Sequence, residues 1–262
     1  MMMNERYNNY FGAGAVLIVT AALILFVVVL TDRGDLTSAT LVLSGIGCFV
    51  GGIFVLTLSK GEPVDQAVIS ALPVAGTINL SRVASDLGLM GDGVYIPQNN
   101  GSPAVMQFIP AGTYEHAVLQ NDFSFAIGKN STGLVFVPQG LPLFDHLCRE
   151  TGLILASDES ELLVSVGEVC SDVLEVADSA NAVRSGDSIV VTLNNFRLYS
   201  GCKMVRAESP KCCTMVGCPV CSCIGCMLAA ATSTPCSLVD VSVDDRKQSI
   251  ALVYSYHADA GV

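Results

Sequence analysis

Two uncharged apolar runs near the start constrain this chain more than any other feature. Phe11–Leu30 reads FGAGAVLIVTAALILFVVVL and Leu36–Leu58 reads LTSATLVLSGIGCFVGGIFVLTL, neither with a charged residue. A helix needs about 20 apolar residues to cross ~30 Å of hydrocarbon at a rise of 1.5 Å per residue. A buried helical pair in a soluble protein would show amphipathic stripes, and neither run has a polar face. The sequence therefore predicts transmembrane helices over 11–30 and 36–58. The connector Thr31–Asp35 is a short polar turn, which makes the two helices antiparallel neighbours in a hairpin spanning residues 1–60. A cleaved leader is the weaker reading, because the first run lacks a basic n-region and a small-residue cleavage site, and a second span follows at once.

The second run contains a Gly-x-x-x-Gly pair, Gly47 and Gly51, with Ser44, Cys48 and Gly52 around it. Small residues let helix backbones approach closely in lipid, where dispersion supplies most of the attraction. The pair serves either packing on the first helix or self-association, and the sequence leaves both open. Both ends of a two-span hairpin lie on one side. Arg6, the α-amino group and Lys60 flank that side against Arg33 in the turn, so the positive-inside rule favours a cytoplasmic soluble domain. An odd count of 11 cysteines also suits a reducing compartment. Three glycosylation sequons, at Asn79, Asn100 and Asn130, point the other way. The expected location is a cell membrane, with residues 61–262 forming one α+β domain on its cytoplasmic side.

Charged residues make up 14% of the chain, against roughly 25% in ordinary soluble domains. The net charge is −11 and the acidic residues are dispersed. Phosphate binding needs Lys and Arg gathered on one face, so nucleic acid is excluded as a partner, as is adhesion to an anionic lipid surface. What remains is the bilayer itself, a protein partner or a second copy of the chain.

Beyond the apolar runs, Thr77–Leu89 has helical spacing with stop signals at Gly88 and Gly91. The pattern then turns to strands. Val94–Gln98, Met106–Pro110 and Val135–Gln139 are near-repeats, each with a proline close to its end, and Phe123–Ile127 alternates. Helices are expected over Pro142–Thr151 and Glu159–Val176, a strand over Ser188–Phe196, and a β-hairpin from Leu238–Val243 and Ser249–Tyr256. That order predicts an α+β fold of helices and mainly antiparallel strands.

Seven cysteines fall between Cys202 and Cys226, and Cys236 follows. Cys218-x-x-Cys221 and Cys223-x-x-Cys226 have the spacing that lets one turn present two thiolates to a metal. The run Val220–Ala231 reads as a helix with Pro219 in its first turn. On that helix Cys218 and Cys221 share a face, while Cys223 and Cys226 point elsewhere. A zinc or iron–sulfur site would therefore draw on Cys212, Cys213, Cys218 and Cys221, with Cys202 as an alternate, the first members coming from the preceding loop. A redox reading rests on Cys218-Pro-Val-Cys221 at a helix N-terminus, where the dipole lowers a thiol pKa, though no βαβ context precedes it. In a third reading the cysteines are small hydrophobes, and Ser222, Gly225, Cys226 and Ala229 form a surface for close packing.

His116, His146 and His257 are scattered, and no nucleophile elbow, phosphate loop or dinucleotide fingerprint occurs. Glu159, Glu161 and Glu168 form a solvated helix face. With no tryptophan and 6% aromatic residues, stacking platforms are poorly supplied. No catalytic residue is assigned, and the chain leans away from being an enzyme.

The two apolar runs, the Gly93–Pro97 strand, the Val135–Pro138 strand and the Gly-Cys-Pro-Val-Cys-Ser helix start at Gly217–Ser222 together resemble uncharacterised archaeal membrane proteins. The resemblance implies an archaeal cell membrane and brings no activity with it. The expected function is that of a membrane-anchored, non-enzymatic interaction or scaffold protein, self-associating through its membrane helices. The alternative is a membrane-anchored metal-binding or thiol-redox protein using the cysteine cluster.

Overall fold

The first proline of the chain is Pro63, so nothing in the two apolar runs interrupts a helix. The computed structural model, which describes residues 9–31, 36–58, 64–98, 104–114, 124–126, 132–156 and 158–257, accordingly has α1 at Asn9–Thr31 and α2 at Leu36–Leu58. The chain separates into two compact units, Met1–Asp65 and Gln66–Val262. In the first, a Cβ added at Gly52 would lie 2.7 Å from the Ile18 side chain and 3.1 Å from the Gly14 carbonyl oxygen. One added at Gly45 would meet the Leu25 side chain at 3.0 Å. The start of α1 thus packs on the end of α2, and the helices run antiparallel. Outward-facing Val19, Leu23, Phe26 and Val29 of α1, and Leu43 and Phe54 of α2, are exposed. The hydroxyls of Thr20, Thr40, Ser44 and Thr57 donate to carbonyls of their own helices, so they add no unpaired donor to this apolar surface. The connector 32–35, and Arg6 and Lys60 of the charge argument, lie outside the described residues.

In the second unit α3 (Gln66–Ala71) and α4 (Val74–Asp86) come first. The strands are β1 (Val94–Pro97), β2 (Val105–Pro110), β3 (Phe125–Ala126), β4 (Gly133–Phe136), β5 (Ser179–Ser185), β6 (Ser188–Asn194), β7 (Cys236–Asp244) and β8 (Ser249–Tyr256). They make one sheet in the order β3-β4-β2-β1-β7-β8-β6-β5, with every described pairing antiparallel. The three near-repeats are thus neighbouring strands, with β2 between β1 and β4. Proline closes β1 and β2, where no ladder donor is needed.

The remaining helices are α5 (Leu141–His146), α6 (Glu159–Glu168), α7 (Tyr199–Glu208), α8 (Lys211–Met215) and α9 (Pro219–Thr232). The first two are each prolonged by one wider turn, Leu147–Thr151 and Val169–Val173. Asp158 caps α6 by accepting from the Ser160 and Glu161 amides, which orders its acidic first turn. Mixed helix and antiparallel sheet is what the sequence pattern predicts.

Three elements differ from expectation. β5 is an edge strand that pairs along its whole length with β6. Cys202 lies on α7, and Cys212 and Cys213 on α8, so the segment before Cys218 is two short helices rather than a loop.

Among the described residues, four stretches are long and apolar enough to cross a membrane: Gly12–Thr31, Thr37–Thr57, Gln66–Asp86 and Lys211–Thr232. The third is α3 and α4, separated at Leu72–Pro73. The fourth is α8 and α9, and it is buried inside its own unit. Every residue of α9 from Val220 to Ala229 is buried. That helix is apolar all round because α5, α6 and the β6–β8–β7–β1 part of the sheet enclose it in the main core.

Candidate functional site

The first turn of α9 is held from three sides. The Tyr254 hydroxyl donates to the Cys221 carbonyl at 2.7 Å. The Gly140 amide donates to Ser222 Oγ at 2.9 Å. The Tyr95 ring packs close against the helix because residue 225 has no side chain, and a Cβ there would sit 2.6 Å from the ring. The approach to α9 is fixed from the sheet. Gln107, fully buried on β2, donates through Nε2 to the Met215 and Val216 carbonyls at 3.3 and 3.0 Å. Those are groups that the end of α8 leaves unpaired. Gly217 then turns the chain at φ +77°, a conformation that favours glycine, and delivers Cys218 as the N-cap of α9.

Of the residues singled out as metal ligands, Cys213, Cys218 and Cys221 are brought together, with Cys202 as a fourth neighbour. Cys218 Sγ is 3.3 Å from Cys221 Sγ. Cys202 and Cys213 are a second pair of neighbouring thiols, and all four sulfurs influence one another's ionisation. Cys212, the remaining member of the expected quartet, faces the other way, beside the Arg82–Glu208 ion pair. Among the described residues, no group of three or more His, Cys, Asp or Glu side chains is placed to hold one metal ion. The arrangement is two thiol pairs, side by side.

The pairs differ in accessibility. Cys202, Cys213 and Cys221 are buried, whereas Cys218 is half-buried. The hydrogen bond shared with the Cys221 thiol, seconded by the backbone amides of Cys221 and Val220, lowers the Cys218 pKa from its ordinary 9.0 to about 7, against the opposing effect of burial. The same bond raises Cys221. Within the second pair Cys213 is the lowered thiol and Cys202 the raised one, again through their mutual interaction. Burial alone raises Cys170 to about 12, and it is the main cause of the raised values of Cys223, Cys226 and Cys236. These four are small apolar core residues.

A family model described as a domain of unknown function, DUF7982, matches residues 4–256. The chain belongs to the DUF7982 family. No curated protein and no solved structure matches it. Since the DUF7982 description brings no activity, chemistry in this fold rests on the side chains themselves.

Two further features of the DUF7982 chain lie outside the cysteine cluster. Gly47 and Gly51 of α2 lie on a different side of the helix from Gly45 and Gly52, and a Cβ added at either would meet no atom within 4 Å. Packing of α2 on α1 uses Gly14, Gly45 and Gly52 instead. In the second unit Ser237 Oγ lies 2.7 Å from His257 Nε2, and the Tyr114 ring is 4.9 Å from the imidazole. Twenty residues separate that serine and histidine, so no local pattern announces the pair. It joins β7 to the segment after β8. Glu159 is ion-paired with Arg184 at 2.5 Å rather than simply solvated. His116 and the sequons at Asn100 and Asn130 lie outside the described residues.

Proposed function

We propose that the chain is a two-span membrane protein that self-associates through the Gly47/Gly51 face of α2, with its second unit serving as a non-enzymatic protein-contact domain. The observation that carries this reading is the open glycine face. Thr40, Ser44, Gly47 and Gly51 fall on one side of α2 at 100° per residue, and that side is not used against α1. A stripe of small residues lets a second helix approach closely in lipid. The length of each helix supports the anchor: 23 residues rise about 35 Å, enough for ~30 Å of hydrocarbon. Arg6 and Lys60 against Arg33 favour a cytoplasmic second unit. The contact role is supported by apolar side chains left exposed on and beside α3 and α4, among them Leu72 at 74% and Met90 at 70%.

Chemical cross-linking of the full chain in its native membranes tests the reading. The wild type is expected to give a dimer band, and Gly47→Leu with Gly51→Leu to weaken self-association about 5–10-fold, or roughly 1–1.4 kcal/mol. Ala13→Leu, on an exposed position of α1, is expected to leave it unchanged. A monomeric band at every cross-linker dose contradicts the proposal.

A further inference from the structure

Four thiols meet where α7, α8 and α9 converge, in a unit whose proposed role makes no use of them. Of the four residues only Cys218 is half-buried rather than buried, and its sulfur lies 3.3 Å from that of the buried Cys221. An accessible thiol at the start of a helix with a buried thiol one turn further on is an asymmetric pair. Its outer member can attack, and its inner member can only resolve. The support described above makes this asymmetry a property of the fold, because Tyr254, Gly140 and Tyr95 fix the first turn of α9 while Gln107 fixes the chain leading into it. The ordinary span of a disulfide across two residues of one helical turn is compatible with closing the pair by side-chain rotation alone.

We infer that Cys218 and Cys221 form a thiol–disulfide exchange site whose substrate is a low-molecular-weight aliphatic disulfide. This goes beyond the anchoring and assembly role and depends on neither. The substrate class follows from access. Cys218 is half-buried and its neighbours Cys202, Cys213 and Cys221 are buried, so a small disulfide reaches the sulfur more readily than one embedded in a folded protein.

In the first step the Cys218 thiolate attacks one sulfur of R–S–S–R. The substrate S–S bond breaks, a Cys218–S–S–R bond forms, and R–S⁻ leaves and takes up a proton. In the second, Cys221 gives its proton to solvent and its thiolate attacks the Cys218 sulfur. A Cys218–Cys221 bond forms, and the second R–S⁻ leaves and is protonated. Two protein sulfurs are oxidised and two substrate sulfurs reduced, so no further oxidant is required, and excess R–SH reverses the sequence.

The groups facing the pair are Cys202 on α7, Cys213 on α8, Tyr95 on β1 and Tyr254 on β8, and Arg206 of α7, which donates to the Val241 carbonyl, acts on Cys202 and Cys213 through its charge. Both tyrosines are buried and held neutral well past the ordinary range, so the thiols govern the titration near pH 7. The interaction with Cys221 lowers the Cys218 pKa, which raises the share of reactive thiolate at neutral pH, while the lower basicity weakens each thiolate as a nucleophile.

The test uses the full chain in detergent with 2-hydroxyethyl disulfide as the probe, followed by intact mass and peptide mapping. The wild type is expected to lose two hydrogens and to show a Cys218–Cys221 link. Cys221→Ala is expected to stop at the mixed disulfide on Cys218, react several-fold more slowly at pH 7, and shift the half-maximal pH of the rate upward from about 7. Cys218→Ala is expected to abolish the reaction, whereas Cys148→Ser, at an exposed thiol outside the cluster, leaves it unchanged. Unaltered urea midpoints for the variants separate chemistry from folding. Reaction of Cys218→Ala at the wild-type rate, a link between other cysteines, or a wild type that stops at the mixed disulfide would overturn the assignment. A disulfide-bonded protein reduced faster than the small probe would overturn the substrate class.

Discussion

Gly140→Ala is expected to destabilise the second unit by at least about 3 kcal/mol, the upper end of what forcing extra volume into a packed core costs. The added Cβ would lie 2.0 Å from the Cys223 amide nitrogen and 2.4 Å from the Ser222 carbonyl carbon. Both obstacles are backbone of the buried α9, so no side chain can swing aside. Relief requires α5 and α9 to separate, which also breaks the hydrogen bond from the Gly140 amide to Ser222 Oγ. A urea titration followed by the near-ultraviolet signal of the tyrosines reads the effect. Gly76→Ala on α4 supplies the opposite sign, since its Cβ would meet nothing within 4 Å. A stabilisation of about 0.5–1 kcal/mol is expected there, because alanine loses less backbone entropy in a helix. Equal midpoints for Gly140→Ala and wild type would mean that α5 and α9 do not pack as described.

The second large effect is at Tyr95. Its side chain is 1% exposed and occupies the space that Gly217 and Gly225 leave empty, with its hydroxyl close to Gly217. Tyr95→Ala removes a buried aromatic ring from a site that cannot collapse, because the backbones of β1 and α9 stay apart. A loss of about 3–5 kcal/mol is expected. Tyr95→Phe keeps the ring and removes only the buried hydroxyl, for no more than about 0.5–1.5 kcal/mol. The two variants therefore separate packing from polar support at the same position. Comparable losses for both would show that the hydroxyl, and not the ring, holds α9 to the sheet.

Legibility of the fold follows the range of the interactions involved. The apolar runs are legible because the hydropathy is local and continuous, and β1, β2 and the β7–β8 hairpin because β-branched residues alternate between turn signals. β5 is not legible: SANAVRS has one β-branched residue and sits at the sheet edge, so its assignment comes wholly from pairing with β6. α7 is hidden for a similar reason. Its Gly201 weakens helix propensity, yet glycine is required there because the Ser70 carbonyl oxygen would lie 2.1 Å from any Cβ. That neighbour is 131 residues away in the chain.

The candidate site divides in the same manner. Cys218 and Cys221 can be paired from the sequence, since Cys-Pro-Val-Cys before a small-residue run places both at one helix start. The Cys202–Cys213 pair cannot, because α7 and α8 bring it together in space. Cys212 illustrates the converse. It is adjacent to Cys213 in sequence, and on a helix adjacent side chains point about 100° apart, which sends it to Arg82 instead. The glycine faces of α2 were equally ambiguous until the neighbours of each glycine were known. Gly45 and Gly52 touch α1, whereas Gly47 and Gly51 do not.

That separation of faces carries the proposed assembly, and photo-cross-linking along α1 and α2 tests it most directly. A photoreactive residue placed at Ser44 or Phe54 shares the side of α2 that bears Gly47 and Gly51 without replacing either glycine. One placed at Val19 or Phe26 lies on the exposed side of α1. Irradiation of native membranes is expected to join two copies from Ser44 and Phe54 and not from Val19 or Phe26. Equal yields from both helices, or adducts from α1 alone, would contradict self-association through α2.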